Sequence, residues 1–429
     1  MKTSINYKKT AHIILGGAIG NLAIWYNFLL YGYLAFVISP LFFPTQNKCL
    51  SLMLTFTVFS LSFFARPFGG ILFGWIGDHY GRQRALFFSL ILMAIPTFFI
   101  GCLPTYHHIG IASPTLLCIF RTLQGLSAGG EDTGAAIYLA EHAPTKRRTL
   151  WVSTVPATAA IGILISSAAA LWIVNHFTHT QLFSWGWRVG FWSGALLCLV
   201  SLSLRLKLPE TPYFQKIQIE AGTNRFPVLF LIKDPQALRG CLLVFCLASA
   251  WGVLYQILFI WMPTYLMHAQ QVSNTTALQI NTFFMLCFTG LILVFGYIAD
   301  YISRRLLLTL TCSTLLIFAY PLFILLASGS LWQIYFAMGV LTLLFSIFIP
   351  AAFVCMLEAF KTQARYTGLS LGFNLGLAIF GGTSPLILTG LIHLTHNMLS
   401  PALYFMLFVA VGLFSALLFH NQRGKRLSS

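Results

Sequence analysis

The sequence has very few charged residues. Only 8% of its 429 positions are Asp, Glu, Lys or Arg, and just nine residues are acidic. Soluble domains carry roughly 25% charged residues, so this composition excludes an ordinary soluble protein. With 58% hydrophobic residues, the chain has the composition of a protein that lies in lipid.

The sequence also lacks the short motifs of several chemistries. Its nine cysteines show no C-x-x-C spacing, which argues against a zinc or redox site. It contains no nucleophile elbow, phosphate-binding loop or zinc-ligand spacing, which argues against an enzyme. We therefore expect no catalytic residue, no metal and no cofactor.

Long apolar runs are what the sequence has instead. Each is long enough to cross a bilayer as a helix, which needs roughly 20 residues, whereas a barrel would show alternating strands of about ten residues. The runs predict an all-α membrane protein with twelve transmembrane helices. They lie near residues 12–37, 51–76, 85–104, 113–140, 151–175, 187–206, 239–265, 276–298, 305–327, 331–356, 367–393 and 401–420.

The formal net charge of +16 is explained by topology. When the twelve spans are laid end to end, all but four basic residues fall on one side of the membrane. This asymmetry follows the positive-inside rule and predicts that both termini are cytoplasmic. Nucleic acid is therefore not expected as a partner, whereas the lipid bilayer is.

One polar stretch between spans, "GWIGDHYGRQR", occurs again as "GYIADYISRRL". Gly74 and Asp78 correspond to Gly296 and Asp300 at an offset of 222 residues, and Arg82 falls one place from Arg305. A second pair of stretches aligns Glu141 with Glu358 and Arg148 with Arg365 at an offset of 217 residues. Two matches at nearly one offset indicate duplication of a six-helix half.

The longest polar stretch divides the two repeats. Its charges and turn residues predict a cytoplasmic linker over residues 209–237. We therefore predict an N-terminal six-helix half over 1–208 and a C-terminal half over 238–429. Two six-helix repeats joined in this way are typical of a transporter.

The motifs narrow the class further. Over essentially its full length, the chain resembles a major facilitator superfamily transporter, and within it the metabolite:proton symporter family of osmolyte, oxoglutarate, citrate and shikimate carriers. The resemblance is carried by "GNLAIWYNFLLYG", "ARPFGGILFGWIGDHYGRQRAL", "RTLQGLSAGGEDTGAAIYLAEHAP", "LPETPYF" and "RYTGLSLGFNLGLAIFGGTSPLI". It implies two halves that rock around a midplane site, and import of a small polar metabolite driven by protons. We expect the transporter to be a monomer.

The resemblance also implies that the repeated polar loops act as a conformational latch. Asp78 would lie near a helix terminus and Arg82 near Glu141, since an arginine can bridge two carboxylates. A loop that only sets topology is the alternative. The predicted latch residues of both repeats are Gly74, Asp78, Gly81, Arg82, Glu141, Asp300, Arg304, Arg305, Glu358 and Arg365.

Charges inside the predicted spans are the strongest indication of a site, because a buried ion in a membrane is costly. Only Arg66, Arg121, Glu131 and Asp132 lie at depth. Counting about 1.5 Å per residue places Arg66 and Glu131 at one depth, so Arg66 should neutralise one of the two adjacent acids. We expect Glu131 and Asp132 to couple proton transfer, although a purely structural ion network is the alternative.

Arg121 is predicted to lie at a different depth and to receive an anionic group of the substrate, because arginine binds carboxylates bidentately. Other polar positions in spans could contact substrate or could join helices to one another. The predicted substrate-binding residues are Arg66, Arg121, Gln124, Asn27, Tyr31 and Asn374.

One departure from the family pattern bears on proton coupling. The first helix of the family has a Glu and an Asp where this chain has Ile24 and Asn27, while Asp132 replaces a common aromatic residue beside Glu131. A proton-uncoupled facilitator therefore remains an alternative, as does a membrane sensor or receptor with the transporter fold. Histidines near the predicted outer ends are interpreted as polar caps at the membrane interface.

Overall fold

The computed structural model describes residues 7–220, 234–270, 272–328, 330–362 and 365–419, and no strand occurs within these ranges. The predicted all-helical fold is confirmed. Eleven helices in the described ranges are long and apolar enough to cross a membrane. Residues 221–233 of the predicted linker lie outside the described residues.

The helices are labelled in chain order. They are α1 (Tyr7–Tyr33), α2 (Ala35–Phe42), α3 (Lys48–His79), α4 (Arg82–Cys102), α5 (Tyr106–Ile109), α6 (Ala112–His142), α7 (Arg148–His176), α8 (His179–Gln181), α9 (Trp187–Arg205), α10 (Pro212–Glu220), α11 (Pro235–Tyr255), α12 (Met262–Gln270), α13 (Asn274–Ile298), α14 (Arg304–Ser328), α15 (Leu331–Glu358), α16 (Arg365–Gly376), α17 (Ser384–Thr395) and α18 (Ser400–Leu418).

Two predicted spans contain a wide helical turn. A π-helical segment, Gln256–Trp261, joins α11 to α12, and a second, Leu377–Gly381, follows α16. Single π turns inside longer helices commonly mark functional positions and bends. The seventh predicted span, 239–265, is therefore one continuous path through α11, the π segment and α12.

The chain forms two compact units. The first comprises 1–142 and 158–225, and the second comprises 143–157 and 226–429. In the first unit α6 packs against α1, α3 and α4, and α4 also packs against α9. In the second unit α11 packs against α16 and α18, and α15 packs against α13 and α14. The predicted boundaries of the two halves stay a prediction.

Helix α6 is the most buried helix of the first unit. Every residue from Ser127 to Glu141 is buried, yet α6 is not among the eleven helices apolar enough to cross a membrane. The reason is its polar content: it carries the two acids and Arg121. A helix this polar must bury its charges against partners, and those partners define the candidate site.

Glycine permits the contact between α3 and α6. A Cβ atom added at Gly129 would overlap the carbonyl oxygen of Arg66, and one added at Gly69 would overlap that of Leu126. The two backbones therefore approach more closely than any larger side chain allows. This approach brings Arg66 of α3 beside the acids of α6.

Candidate substrate and proton site

The two adjacent acids of α6 face different arginines. Asp132 forms an ion pair with Arg66 of α3, the pairing expected from their depths. Glu131 forms an ion pair with Arg205, at the last residue of α9. All four side chains are buried. The structure thus gives two carboxylates that are neighbours in sequence separate arginine partners.

Arg205 holds Glu131 through both ends of its guanidinium. Nη1 donates to Glu131 Oε2 at 2.8 Å, and Nη2 donates to Oε1. Further donations go to the carbonyl oxygens of Gly16 (3.2 Å), Gly17 (3.2 Å) and Leu86 (2.7 Å). Such a bidentate, charge-assisted arrangement is geometrically specific and strong.

Glu131 has a further donor. The Ser89 hydroxyl donates to Glu131 Oε2 at 2.7 Å. From the sequence, Arg205 belongs to the basic residues of the predicted cytoplasmic side, and Ser89 is not among the predicted site residues. No local signal distinguishes Arg205 from a topology-setting charge, because it ends an apolar run and is followed two residues later by Lys207.

Asp132 is held by two donors of different kinds. The Trp25 indole Nε1 donates to Oδ1 at 2.9 Å, and Arg66 Nη2 donates to Oδ2. The Arg66 guanidinium also lies 5.3 Å from the centre of the Trp25 ring and 5.9 Å from that of Phe63. Trp25 was noted from the sequence only as part of a motif, and its contact with Asp132 depends on how α1 is rotated.

Arg121 is buried without an acidic partner. Among the described residues no carboxylate forms an ion pair with it, and its Nε and Nη2 atoms are buried without a hydrogen-bond partner. Nη1 donates to Gln124 Oε1 at 2.8 Å, and Gln124 Nε2 donates to Thr97 Oγ1 at 2.7 Å. The structure therefore brings Arg121 and Gln124 together, with two guanidinium nitrogens left for another acceptor.

Aromatic rings surround the Arg121 guanidinium. Its central carbon lies 4.4 Å from the centre of the Tyr31 ring, 5.0 Å from that of Phe28 and 5.5 Å from that of Phe59. The Phe28 ring also packs edge-on against Phe63 at 4.8 Å, and Phe63 contacts Arg66. A continuous set of rings therefore runs from Arg121 to the Arg66–Asp132 pair.

The remaining predicted substrate residues have other contacts. Asn27 Nδ2 donates to the carbonyl oxygens of Ala23 (2.8 Å) and Gly194 (3.3 Å), so this amide joins α1 to α9. The Tyr31 hydroxyl donates to the carbonyl oxygen of Thr55 at 3.1 Å. Asn374, in the second unit, donates to Ser370 within α16 at 2.8 Å. Of these residues, Tyr31 contacts Arg121 through its ring.

The predicted latch residues of the first unit form one buried network. Arg82 lies 3.2 Å from Asp78 and 3.4 Å from Glu141, between the nitrogen and oxygen atoms of each pair. Gly81 precedes α4 with φ of 113°, a conformation that favours glycine, and an added Cβ would overlap Glu210. Gly74 is buried in α3.

Glu210 completes this network and was not predicted from the sequence. Its carboxylate accepts the backbone N–H groups of Arg82 (3.1 Å) and Gln83 (3.2 Å) at the start of α4, where a negative charge is favoured. The Thr211 hydroxyl donates to Glu141 at 2.6 Å. Burial raises the pKa of Glu210 above its usual 4.5, while the backbone donors and Arg82 oppose that shift.

The second unit contains an equivalent network. Arg304 occupies the position equivalent to Arg82, lying 3.9 Å from Asp300 and 2.7 Å from Glu358. Arg148 Nη1 also pairs with Glu358 at 2.8 Å. Asp300 accepts the backbone N–H groups of Thr149 (2.8 Å) and of Leu150 (3.1 Å), so this carboxylate caps the first turn of α7.

Two predicted latch arginines lie beside carbonyl groups. Arg305 donates to the carbonyl oxygen of Leu417 at 2.6 Å, and Arg365 donates to that of Phe360 at 3.2 Å. Arg148, which aligns with Arg365 in the sequence repeat, pairs with Glu358 together with Arg304. Among the described residues, no group of three or more His, Cys, Asp or Glu side chains is placed to hold a metal ion.

These features define a multi-pass helical membrane protein whose helices contain buried ion pairs and, at Arg121, a buried guanidinium that forms no ion pair with the described residues. The Major Facilitator Superfamily profile matches residues 20–383. The chain belongs to this family of transporters, and it is a membrane transporter rather than an enzyme.

Similar proteins agree in sequence and in fold. The proline/betaine transporter of Escherichia coli (strain K12) is 31% identical over 418 residues, covering 96% of this chain and 83% of that protein. The putative proline/betaine transporter of Staphylococcus aureus (strain COL) is 33% identical, covering 99% and 91%. The solved proton:xylose symporter XylE is 16% identical with a TM-score of 0.78, covering 98% of each chain, which shows the shared fold.

Proposed function

We propose that the protein imports a small zwitterionic or anionic organic solute together with protons, by alternating access. Relatives named proline/betaine transporters, at 31% and 33% identity, favour a zwitterionic osmolyte with a carboxylate group. We place the protein in the bacterial inner membrane as a monomer with both termini in the cytoplasm, following the distribution of its basic residues.

The observation that carries the proposal is the unpaired guanidinium of Arg121. Five buried charged side chains lie in this part of the first unit: Arg66, Arg121, Glu131, Asp132 and Arg205. The two acids compensate two of the three arginines, so one positive charge is left without a counter-charge. Such a charge is costly inside a membrane protein. A substrate carboxylate at Nε and Nη2 would supply the missing charge, because arginine matches carboxylate geometry bidentately.

Proton coupling is supported by the acids of α6. Among the described residues each acid forms an ion pair with one buried arginine, so a proton added to either acid leaves the charge of its arginine uncompensated. The aromatic rings of Phe28 and Phe63, which lie between Arg121 and Arg66, would connect substrate binding at Arg121 to the protonation of the acids. We propose that the two polar networks that contain Asp78 and Asp300 act as latches that stabilise one conformation during the cycle.

A proton-uncoupled facilitator is the second candidate. It is favoured by α1, where Ile24 is apolar and the Asn27 amide is engaged by backbone groups of α1 and α9. In that case Arg66 and Arg205 would only balance their acids, and uptake would follow the solute gradient alone.

Uptake into proteoliposomes tests the proposal. The panel is proline, betaine, 2-oxoglutarate, citrate and shikimate, each measured with and without an inward proton gradient. Arg121→Gln should raise the KM for the transported solute by about tenfold or more, because a charged hydrogen bond contributes about 1.5–3 kcal/mol. Exposed Arg239→Gln is the matched control.

The outcomes separate the candidates. Uptake stimulated by the gradient supports the symporter, and uptake indifferent to it supports the facilitator. If no solute of the panel is taken up under either condition, the result would contradict both the symporter and the facilitator and would favour the sensor or receptor. An unchanged KM in Arg121→Gln would remove Arg121 from the substrate site.

A further inference from the structure

The two neighbouring acids of α6 differ in how completely their oxygens are occupied. Both oxygens of Glu131 accept from Arg205, and one also accepts from Ser89, while its side chain is 0% exposed. Arg205 is fixed in turn by three backbone carbonyl groups. A proton on Glu131 would therefore have to displace a donor that the surrounding backbone holds in place.

Asp132 is held by fewer hydrogen-bond donors than Glu131 and is more exposed. Its side chain is 8% exposed, and each of its oxygens accepts from one side chain, Trp25 or Arg66. Among the described residues, Arg66 and Glu131, the preceding residue on α6, are the charged groups that act on it. When Asp132 is neutral, the Arg66 charge retains the faces of Trp25 and Phe63, which attract a cation.

We propose that Asp132 is the carboxyl that takes up and releases the transported proton, that Glu131 is a fixed counter-charge for Arg205, and that Trp25 is a positioning residue for Asp132. The inference rests on the proposed function and assigns separate roles to the two acids. One proton from outside adds to an Asp132 oxygen, the ion pair with Arg66 opens, and the same proton later leaves to the cytoplasm. The O–H bond of the protonated carboxyl is the one covalent bond that forms and later breaks.

Two assays on the same proteoliposomes separate the roles. Accumulation driven by an inward proton gradient requires the proton to bind and leave, whereas exchange of labelled for unlabelled solute does not require net proton transfer. Asp132→Asn should lower accumulation by about tenfold or more while lowering exchange by no more than about threefold. Asp234→Asn is the matched control, because Asp234 caps α11 outside the membrane-spanning helices.

The second acid should respond differently. Glu131→Gln should lower exchange and accumulation in the same proportion, because its role is to hold Arg205. Should Asp132→Asn yield no folded protein by size-exclusion chromatography, Asp132→Glu provides the test. That variant keeps a carboxylate and should retain gradient-driven accumulation with a displaced pH profile.

Trp25→Phe removes the indole donor and keeps a ring beside Arg66. Because the ionised carboxylate loses a donor, the pH of half-maximal accumulation should shift upward while exchange at its optimum persists. Exposed Trp332→Phe is the control. A merely structural Trp25 would lower both activities without moving the pH profile.

Three results would overturn the inference. They are gradient-driven accumulation that survives in Asp132→Asn, exchange without accumulation in Glu131→Gln, and an unmoved pH profile in Trp25→Phe. If wild-type protein transports no solute of the panel under any condition, the proposed function fails and the inference fails with it. If wild type shows gradient-driven uptake and Asp132→Asn still accumulates solute in response to the gradient, the inference fails while the proposed function stands.

Discussion

Removing the guanidinium of Arg205 should be among the most destabilising single changes in the first unit. Arg205→Met keeps an apolar chain of similar length but takes away both donors to Glu131. Among the described residues, the Ser89 hydroxyl is then the donor that the fully buried carboxylate retains. Breaking a buried ion pair from one side costs about 3–5 kcal/mol, because the remaining charge is left uncompensated.

The partner variant should cost less. Glu131→Gln leaves Arg205 with its three carbonyl acceptors, so we expect a loss of about 1.5–3 kcal/mol, the contribution of hydrogen bonds to a charged group. The double variant removes both charges and should be more stable than Arg205→Met alone. Residues in contact show coupling energies of about 0.5–3 kcal/mol, and this cycle should fall near the upper end.

The assay is unfolding in mixed detergent micelles, followed by the loss of helical circular dichroism, for wild type, both single variants and the double variant. Arg239→Met, at an exposed position, is the control. The reasoning is refuted if Arg205→Met unfolds within about 1 kcal/mol of wild type. It is equally refuted if the effects of the two single variants simply add in the double variant.

Two further predictions concern the packing and the loops of the first unit. Gly129→Ala should lower stability by about 1–3 kcal/mol, because the new Cβ would overlap the Arg66 carbonyl oxygen. Gly290→Ala is the matched control, because a Cβ added there would meet no atom of another helix within 4 Å. Equal thermal stability of the two variants would contradict the predicted contact. Burial raises the pKa of Glu210, so the folded state favours the protonated carboxyl. This preference stabilises the folded state fully below the usual pKa of 4.5, and the stabilisation is lost as the pH rises through the raised pKa of the folded state. Unfolding midpoints measured from about pH 4 to about pH 8 should therefore fall with rising pH more steeply in wild type than in Glu210→Gln, and parallel pH profiles would argue against the shift.

Much of the fold follows from composition and spacing. Apolar runs predict the helices because a membrane leaves few alternatives for the backbone. The same logic of depth predicts the pairing of Arg66 with an acid of α6, since residues on two crossing helices meet only at equal height. The family resemblance implies that Arg82 lies near Glu141, as it does in the structure.

Contacts that depend on helix rotation could not be predicted in this way. Arg205 looks like a residue that sets topology, and only the packing of α4, α6 and α9 shows that it turns inward to Glu131. The bond from Trp25 to Asp132 needs α1 to present one particular face. Glu210 lies 128 positions beyond Arg82, whose backbone it caps, and no local pattern relates residues at that separation.

The pairing of Glu131 with Arg205 cannot form until the ribosome has made both residues. The two residues are 74 positions apart, so Glu131 enters the membrane well before its counter-charge has been made. At about 5–20 residues per second, the interval lasts on the order of 4–15 s. During this interval the carboxylate of Glu131 on α6 has no Arg205 to pair with. A ribosome that stalls before residue 205 would therefore leave a nascent chain in which the charge of Glu131 stays uncompensated.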